Sequence, residues 1–191
     1  ENLSKKFLVS VDTNKSQMMG ESIEAGASFI NDISSLTKDA NSIQRLQSNS
    51  CGIILMHSQG IPINMQDNPV YNDSLLDIYD YLEMRIRVCE KAGILRKRII
   101  IDPGIGFGKN DKHLKRIVRN ISLFHSLGCP LLVGFSRKSF IGRWSNMEME
   151  DDRLGGSIAS VLWSLSRGVH LFRVHDVDQT VQAIKIWMHI A

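Results

Sequence analysis

Three residues rich in hydrogen-bond acceptors, Asp12, Asn31 and Asp102, each stand at the end of a short apolar run: "FLVSVDT" (7–13), "ASFINDI" (27–33) and "RIIID" (98–102). A carboxylate offers only acceptors and a carboxamide offers both kinds of group, so the three together suit a flat heterocycle edged with N–H groups and ring nitrogens. Taken singly, each also fits the cap of a following helix, a position that favours Asp and Asn. Three in one ring weaken that alternative, because a buried carboxylate without a partner is costly.

Two further groups could act on charge. In "VGFSRKSFIG" (133–142), Lys138 follows an apolar run and can donate to a ring carbonyl, the bland alternative being a solvated surface lysine. Ser139 would then open a helix, whose free N–H groups favour a carboxylate or phosphate. In "FRVHDV" (172–177), Arg173 and His175 lie two apart on a candidate strand and so share a face. Arginine is the preferred bidentate partner of phosphate oxygens. Met56 in "LMHSQG" and Phe107 in "GIGFGK" are either core or the apolar walls of a flat slot.

The glycine-rich stretch "RIIIDPGIGFGKN" (98–110) is not a nucleotide loop. Counting from Gly104, both the Walker A spacing and the dinucleotide fingerprint require glycine at position 109, which is Lys109. What remains is Asp102 at a buried strand end, followed by a tight turn. No His/Cys cluster has zinc spacing, and no Gly-x-Ser-x-Gly elbow is present.

These groups need elements to position them. Besides the three runs above, "GIILMH" (52–57), "PLLVGFS" (130–136) and "LFRVHD" (171–176) read as strands buried on both faces. Between them, apolar residues recur at helical spacing in 74–92 (Leu75, Tyr79, Leu82, Ile86, Cys89), 112–127 (Leu114, Ile117, Val118, Ile121) and 156–167 (Ile158, Val161, Leu162, Leu165). Gly26, Gly93, Gly128 and Gly168 fall where helix C-terminal caps are wanted. Strand–helix alternation means parallel β/α, either an open doubly wound sheet or a (β/α)8 barrel. Polar groups at nearly every strand's C-terminal end favour the barrel, whose sites are built from many strand ends. Six strands leave that barrel two β/α units short, on the N-terminal side. With no repeat, linker or low-complexity tract, residues 1–191 read as one domain.

Composition sets outer bounds. The chain has 191 residues, 43% hydrophobic and 23% charged, as in ordinary soluble domains. A net charge of +3 is too small to argue for nucleic acid or a membrane surface. No apolar run approaches the ~20 residues of a membrane span, and "ENLSKK" is no signal-peptide core. Cys51, Cys89 and Cys129 are scattered and odd in number, which favours reduced thiols in a cytosol-like compartment.

The segments "SVDT", "FINDI", "LMHSQG", "IDPGIGFGK", "LLVGFSRKSFIG", "RLGGSIAS" and "FRVHDV", in this order, resemble the dihydropteroate synthase family across the whole chain. The resemblance implies a pterin-binding TIM barrel, a cytoplasmic homodimer in folate biosynthesis and a target of sulfonamides. It implies condensation of 6-hydroxymethyl-7,8-dihydropterin diphosphate with p-aminobenzoate. Asp12, Asn31 and Asp102 look like that family's pterin-binding polar set, and Met56, Phe107 and Gly134 like its pocket lining. Lys138 looks like the lysine between the two substrates, and Ser139 like the helix-start group receiving the aminobenzoate carboxylate. Arg173 and His175 look like the diphosphate site, with Mg²⁺ held through the diphosphate and no protein metal site. Asp12 is the candidate for stabilising a ring cation. The family's first two β/α units, with their mobile loops and a diphosphate-contacting Asn, have no counterpart in the chain. Two rivals stand beside this reading: a pterin-dependent methyltransferase, which needs no diphosphate site, and a non-catalytic pterin-binding module.

Overall fold

The computed structural model describes residues 3–60, 65, 67–147 and 149–191. The six apolar runs form six strands: β1 (Ser10–Asp12), β2 (Phe29–Asp32), β3 (Gly52–Met56), β4 (Ile99–Asp102), β5 (Leu132–Val133) and β6 (Leu171–Phe172). All pairings are parallel, β1 to β2 to β3 to β4 and then β5 to β6. An isolated bridge between Ile101 and Leu131 joins the two groups, with the Ile101 N–H donating to the Pro130 carbonyl at 3.0 Å. Spatial order therefore equals chain order. A doubly wound sheet reverses its order at a switch point and a barrel does not, so the strands form an arc of a barrel. Among the described residues β1 and β6 do not pair, and the arc stays open, as expected from six strands.

Successive side chains along a strand point to opposite faces, and the two faces differ here. Ile30, Ile53, Leu55, Ile99, Ile101, Leu131 and Val133 point outward into the main core under the helices. Phe29, Ile54, Ile100, Leu132 and Leu171 point inward and form a separate apolar floor on the concave side. Burying each such aliphatic side chain contributes roughly 1.5–3 kcal/mol, so the alternation fixes which face is concave.

The helices are α1 (Ser16–Glu24), α2 (Ser42–Gln47), α3 (Ser74–Lys91), α4 (Asp111–Arg119), α5 (Ser139–Ser145), α6 (Leu154–Leu165) and α7 (Val177–Ile190). α3 starts at Asp73, whose carboxylate accepts from the N–H groups of Leu75 and Leu76. It buries Leu75, Ile78, Leu82, Ile86 and Cys89. α4 opens on a reciprocal cap between Asn110 and His113. Gly26, Gly93, Gly128 and Gly168 all take positive φ as helix-ending residues.

Two expected helices differ in detail. The 112–127 segment breaks: α4 ends at Arg119 and Ile121–Leu127 is a 3-10 turn. Asn120 sits at the break, its amide donating back to the Arg116 carbonyl at 2.8 Å and so competing with continued helix. In α6 the buried residues are Ser157, Val161 and Ser164. Ile158 and Leu162 instead line a groove shared with Ala183, Ile186 and Trp187 of α7, which apolar spacing had not singled out.

The loop after β4 is packed backbone to backbone. Gly104 has φ +69, and a Cβ there would lie 1.8 Å from the His57 carbonyl oxygen. Gly155, by contrast, has nothing within 4 Å of a built Cβ. Gly104→Ala is expected to destabilise the fold by about 2–4 kcal/mol, combining left-handed strain and overpacking. Gly155→Ala is expected to be neutral or stabilising by up to about 1 kcal/mol. Urea unfolding of both variants checks this, and equal midpoints for Gly104→Ala and the unmodified chain would refute the close approach.

Candidate active site

The concave alternation, continued by one pleat, assembles most of the residues singled out in the sequence. Two residues beyond Phe29, Ile54, Ile100, Leu132 and Leu171 stand Asn31, Met56, Asp102, Gly134 and Arg173. Asp12 lies opposite Asn31, and Met56 opposite Asp102, in the strand register. A polar ring therefore caps an apolar floor at the C-terminal end of the arc. The cavity beneath, about 590 Å³, is lined by Asp12, Phe29, Asn31, Ile54, Ile100 and Arg173, among others.

Asn31 is buried. Its amide donates to Asp12 Oδ1 at 2.9 Å, and its own Oδ1 is buried with no protein partner. An unsatisfied buried acceptor costs about 1–3 kcal/mol, and a ligand N–H in the cavity would relieve it. Arg173 donates to Asp12 Oδ2 at 2.8 Å, spanning the gap between β1 and β6. Their side chains are 67% and 48% exposed, so the pair contributes only about 0–1 kcal/mol and is readily exchanged for a ligand anion.

Asp102 is buried. One oxygen accepts from the Gly104 N–H at 2.7 Å. Burial pushes its carboxyl above the usual carboxylate range, opposed by the positive charge of Lys138, then by the Gly104 N–H, Lys109 and Arg173. Gly104, Gly106 and Gly108 all take positive φ and carry the chain around Phe107. Lys109 then turns inward and is buried. Its Nζ lies 3.1 Å from His57 Nδ1 and donates to the carbonyls of Phe107 (2.9 Å) and His57 (3.4 Å). Burial, then Lys109, lowers His57 to about 3, so the ring is neutral and its Nδ1 is free to accept.

Lys138 is the N-cap residue of α5 and Ser139 the helix's first residue. The turn before them is over-determined. Arg137 has φ +59, unusual for a non-glycine. Its N–H donates to Ser157 Oγ at 3.0 Å and its carbonyl accepts from Arg153 at 2.8 Å. Its guanidinium forks onto Asp176 at 2.6 and 3.1 Å. So held, Lys138 donates to the Ile105 carbonyl, and its Nζ stands 4.8 Å from the Phe107 ring centre. Burial lowers it to about 8, Asp102 working against the shift and Arg173 with it.

Beyond Lys138 lies a second cavity of about 610 Å³, lined by Gly106, Phe107, Lys138, Ser139 and Arg143, among others. Arg143, one turn along α5, donates to Ser139 Oγ at 3.0 Å and is paired with Asp111. A larger cavity of about 820 Å³ opens on α4 residues such as Lys112, Arg116 and Arg119, and none of the strand-end residues lines it.

Several expectations change. Asp12, Asn31 and Asp102 cap no helix: the N-cap residues of α1, α2 and α4 are Lys15, Asn41 and Asn110. Arg173 and His175 lie past the end of β6 at Phe172. The Arg173 N–H still bonds the Val133 carbonyl at 2.9 Å, so the ladder runs one residue further. His175 is exposed and held by Ser136, whose Oγ accepts from its N–H at 3.1 Å and lies 3.0 Å from its Nδ1. Sequence reasoning had Ser136 among the polar strand ends, though not as the partner of His175, and it missed Lys109 and Arg143 as parts of the site. Only Arg143 had a signal, its i,i+4 spacing from Ser139. Among the described residues no group of three or more His, Cys, Asp or Glu is placed to hold a metal ion, and no helix is long and apolar enough to cross a membrane. Cys51, Cys89 and Cys129 are free and buried.

Comparison with known proteins agrees with this geometry. The sequence model of the pterin binding enzyme family matches residues 1–175. The chain is 40% identical over 178 residues to the dihydropteroate synthase of Escherichia coli (strain K12), covering 93% of the chain and 62% of that relative. Among solved structures, the Yersinia pestis dihydropteroate synthase with a sulfonamide drug superposes with a TM-score of 0.93 at 38% identity, covering 98% of this chain and 69% of that one. The Xanthomonas albilineans dihydropteroate synthase in complex with 7,8-dihydropteroate gives 0.89 at 34% identity, covering 96% and 69%. The chain belongs to the pterin binding enzyme family, and it spans 62% of the length of the Escherichia coli relative.

The Lys138 environment makes a prediction about pH. With a folded pKa of about 8 against 10.5 when free, the unfolded chain binds more protons between those values. Stability from this group therefore rises with pH across that window. The unfolding free energy of the unmodified chain minus that of Lys138→Met is expected to grow from pH 8 to pH 10 in urea titrations. A difference that stays flat or shrinks would show that Lys138 is not desolvated.

Proposed function

Given membership of the pterin binding enzyme family, we propose that this chain carries the substrate site of a dihydropteroate synthase. The reaction condenses 6-hydroxymethyl-7,8-dihydropterin diphosphate with p-aminobenzoate, giving 7,8-dihydropteroate and pyrophosphate. The observation that carries this reading is Lys138, whose ammonium comes within 3.9 Å of a Cβ built on Gly134 in the concave ring and also lines the second cavity, which ends at Ser139 and Arg143.

In this proposal the residues take the roles that the family resemblance implies. Asp102 and Asn31 accept from the N–H edge of the pterin, Asn31 through its unpartnered oxygen. Met56 and Gly134 line the slot, and Phe107 walls the second cavity. Arg173 and His175 bind the diphosphate. Arg173 must then give up Asp12, which leaves the Asp12 carboxylate to face positive charge developing on the ring. The bond from the pterin methylene carbon to the diphosphate oxygen breaks, and the electron pair leaves with pyrophosphate. The arylamine nitrogen bonds to that carbon and sheds a proton to water. Lys138 donates to the pterin and packs against the benzoate. Ser139, with its backbone N–H, takes the benzoate carboxylate. Mg²⁺ belongs to the substrate in this scheme, carried on the diphosphate oxygens.

A cytoplasmic homodimer is part of the same proposal. The homodimer is supported by the apolar groove between α6 and α7, where Ile186 and Ile190 are 58% and 75% exposed.

Calorimetry with pterin diphosphate and p-aminobenzoate tests the reading. Ordered binding of both, pterin diphosphate first, is expected. Pterin binding that gains nothing from the diphosphate would favour a pterin-dependent methyltransferase, and no binding would favour a non-catalytic module. Hydrogen bonds to charged groups contribute about 1.5–3 kcal/mol, so Asp102→Asn should weaken pterin binding at least about tenfold. Arg173→Ala should weaken pterin diphosphate much more than bare pterin. Equal losses for the two ligands would place the diphosphate elsewhere.

A further inference from the structure

Lys109 has no part in the scheme above, and its surroundings are unusual. A buried ammonium costs several kcal/mol unless it is paired, yet among the described residues no carboxylate lies within ion-pair distance of its Nζ. Its three donors meet three acceptors instead: His57 Nδ1, the His57 carbonyl and the Phe107 carbonyl. Two of these belong to the exit of β3 and one to the loop after β4, so the side chain stitches two segments 52 residues apart in sequence. Both segments are already in backbone contact. A Cβ on Gly104 would strike the His57 carbonyl, and one on Gly108 would lie 2.3 Å from the Gln59 carbonyl. Tyr71 adds a hydrogen bond to the Gly108 carbonyl at 2.8 Å, and Tyr81 packs edge-on against His57 at 5.0 Å between ring centres. An apolar side chain would fill this space without the desolvation cost, so the charge itself calls for a role.

Its place relative to Asp102 supplies one. The Nζ lies 3.4 Å from where a Gly104 Cβ would be, and the N–H of that same glycine bonds the Asp102 carboxylate. We propose that Lys109 is a positioning residue, fixing Phe107 opposite Lys138 and serving as interior counter-charge to Asp102; the consequence for the second substrate rests on the synthase reading above. The charged groups facing Asp102 are Lys138 from the start of α5, Arg173 from beyond β6 and Lys109 from its own loop. His57, from just past β3, is neutral. Lys109 is itself lowered to about 7, by burial first. It is therefore charged across the acidic range in which a carboxylate titrates, and it favours the ionised form of Asp102 there.

The test needs no ligand. The Asp102 carboxyl resonance, assigned by its loss in Asp102→Asn, is followed by ¹³C NMR against pH in the unmodified chain, Lys109→Met and Lys109→Arg. The Asp102 midpoint is expected to rise by about one unit in Lys109→Met and to stay near its original value in Lys109→Arg. A midpoint unmoved in Lys109→Met overturns the counter-charge role. Should Lys109→Met fail to fold, a displaced midpoint in the charge-retaining Lys109→Arg overturns it equally. Positioning is read separately. With pyrophosphate and pterin present, p-aminobenzoate affinity should fall at least fivefold in Lys109→Met while pH-corrected pterin affinity changes less than twofold. Equal losses would reduce Lys109 to a purely structural residue. Failure of the unmodified chain to bind either ligand refutes the substrate reading and leaves the carboxyl titration standing as a result on its own.

Discussion

A carboxylate enclosed at the end of β4 sets the terms for its surroundings. Asp102 is taken out of water, where its ionised form is costly, and nothing in its own strand offsets that cost. Besides the charge of Arg173 at the mouth, the compensation comes from three directions: the Lys138 ammonium, the Gly104 N–H and the more distant charge of Lys109. Each demands a particular backbone. Gly104 must be left-handed and free of a Cβ to carry the chain past the His57 carbonyl, Arg137 must be left-handed to deliver Lys138, and the 104–109 loop must lie close enough to β3 for Lys109 to reach His57. The loop geometry and the electrostatics are thus one problem with one solution.

The solution is available because the strands are parallel and sequential. Parallel strands end at the same edge, and a two-residue repeat sends every second side chain to the concave face. Moving two residues along from a floor of Phe29, Ile54, Ile100, Leu132 and Leu171 brings the polar Asn31, Asp102 and Arg173 to one level, with Met56 and Gly134 among them. Shifting β2 or β4 by one residue would bury Asn31 or Asp102 under the helices and turn an aliphatic group into the cavity. The apolar outer face, anchored by fully buried Ile30, Ile53, Ile99 and Leu131, therefore holds the site in register without touching a ligand.

Much of this was legible in the sequence, for a local reason. Runs such as "RIIID" carry both the strand signal and the residue that ends it, so Asp12, Asn31, Met56 and Asp102 could be placed by counting. Glycine caps were legible for the same reason, since a positive φ is a property of one position. What depended on distant partners was not. Lys109 followed the failed phosphate-loop pattern and gave no sign of turning inward, because its acceptor His57 lies far back in the chain. Nor did Ser136 give any sign of holding His175. In α6 the aliphatic set at helical spacing met α7 rather than the sheet, and small residues took the buried face. Periodicity finds a helix's apolar stripe but not which neighbour receives it.

The arrangement of charges also bears on why two substrates would act in sequence. Without ligand, Asp12 is engaged twice, by Asn31 and by Arg173, and Lys138 is engaged by the Ile105 carbonyl and the Phe107 face. Asp12 and Arg173 are thus held by one another. The Arg173 contact is the weak one, being exposed and screened, whereas Asp102 and Lys109 are fixed in the interior. An anion at the open mouth competes most easily for Arg173. Its capture frees Asp12 and withdraws a positive charge that helps to lower the pKa of Lys138. An anion held there would thereby favour the charged form of the lysine that walls the second cavity. In the proposed scheme, charge coupling between Arg173 and Lys138 would make the second pocket responsive to an anion held at the first.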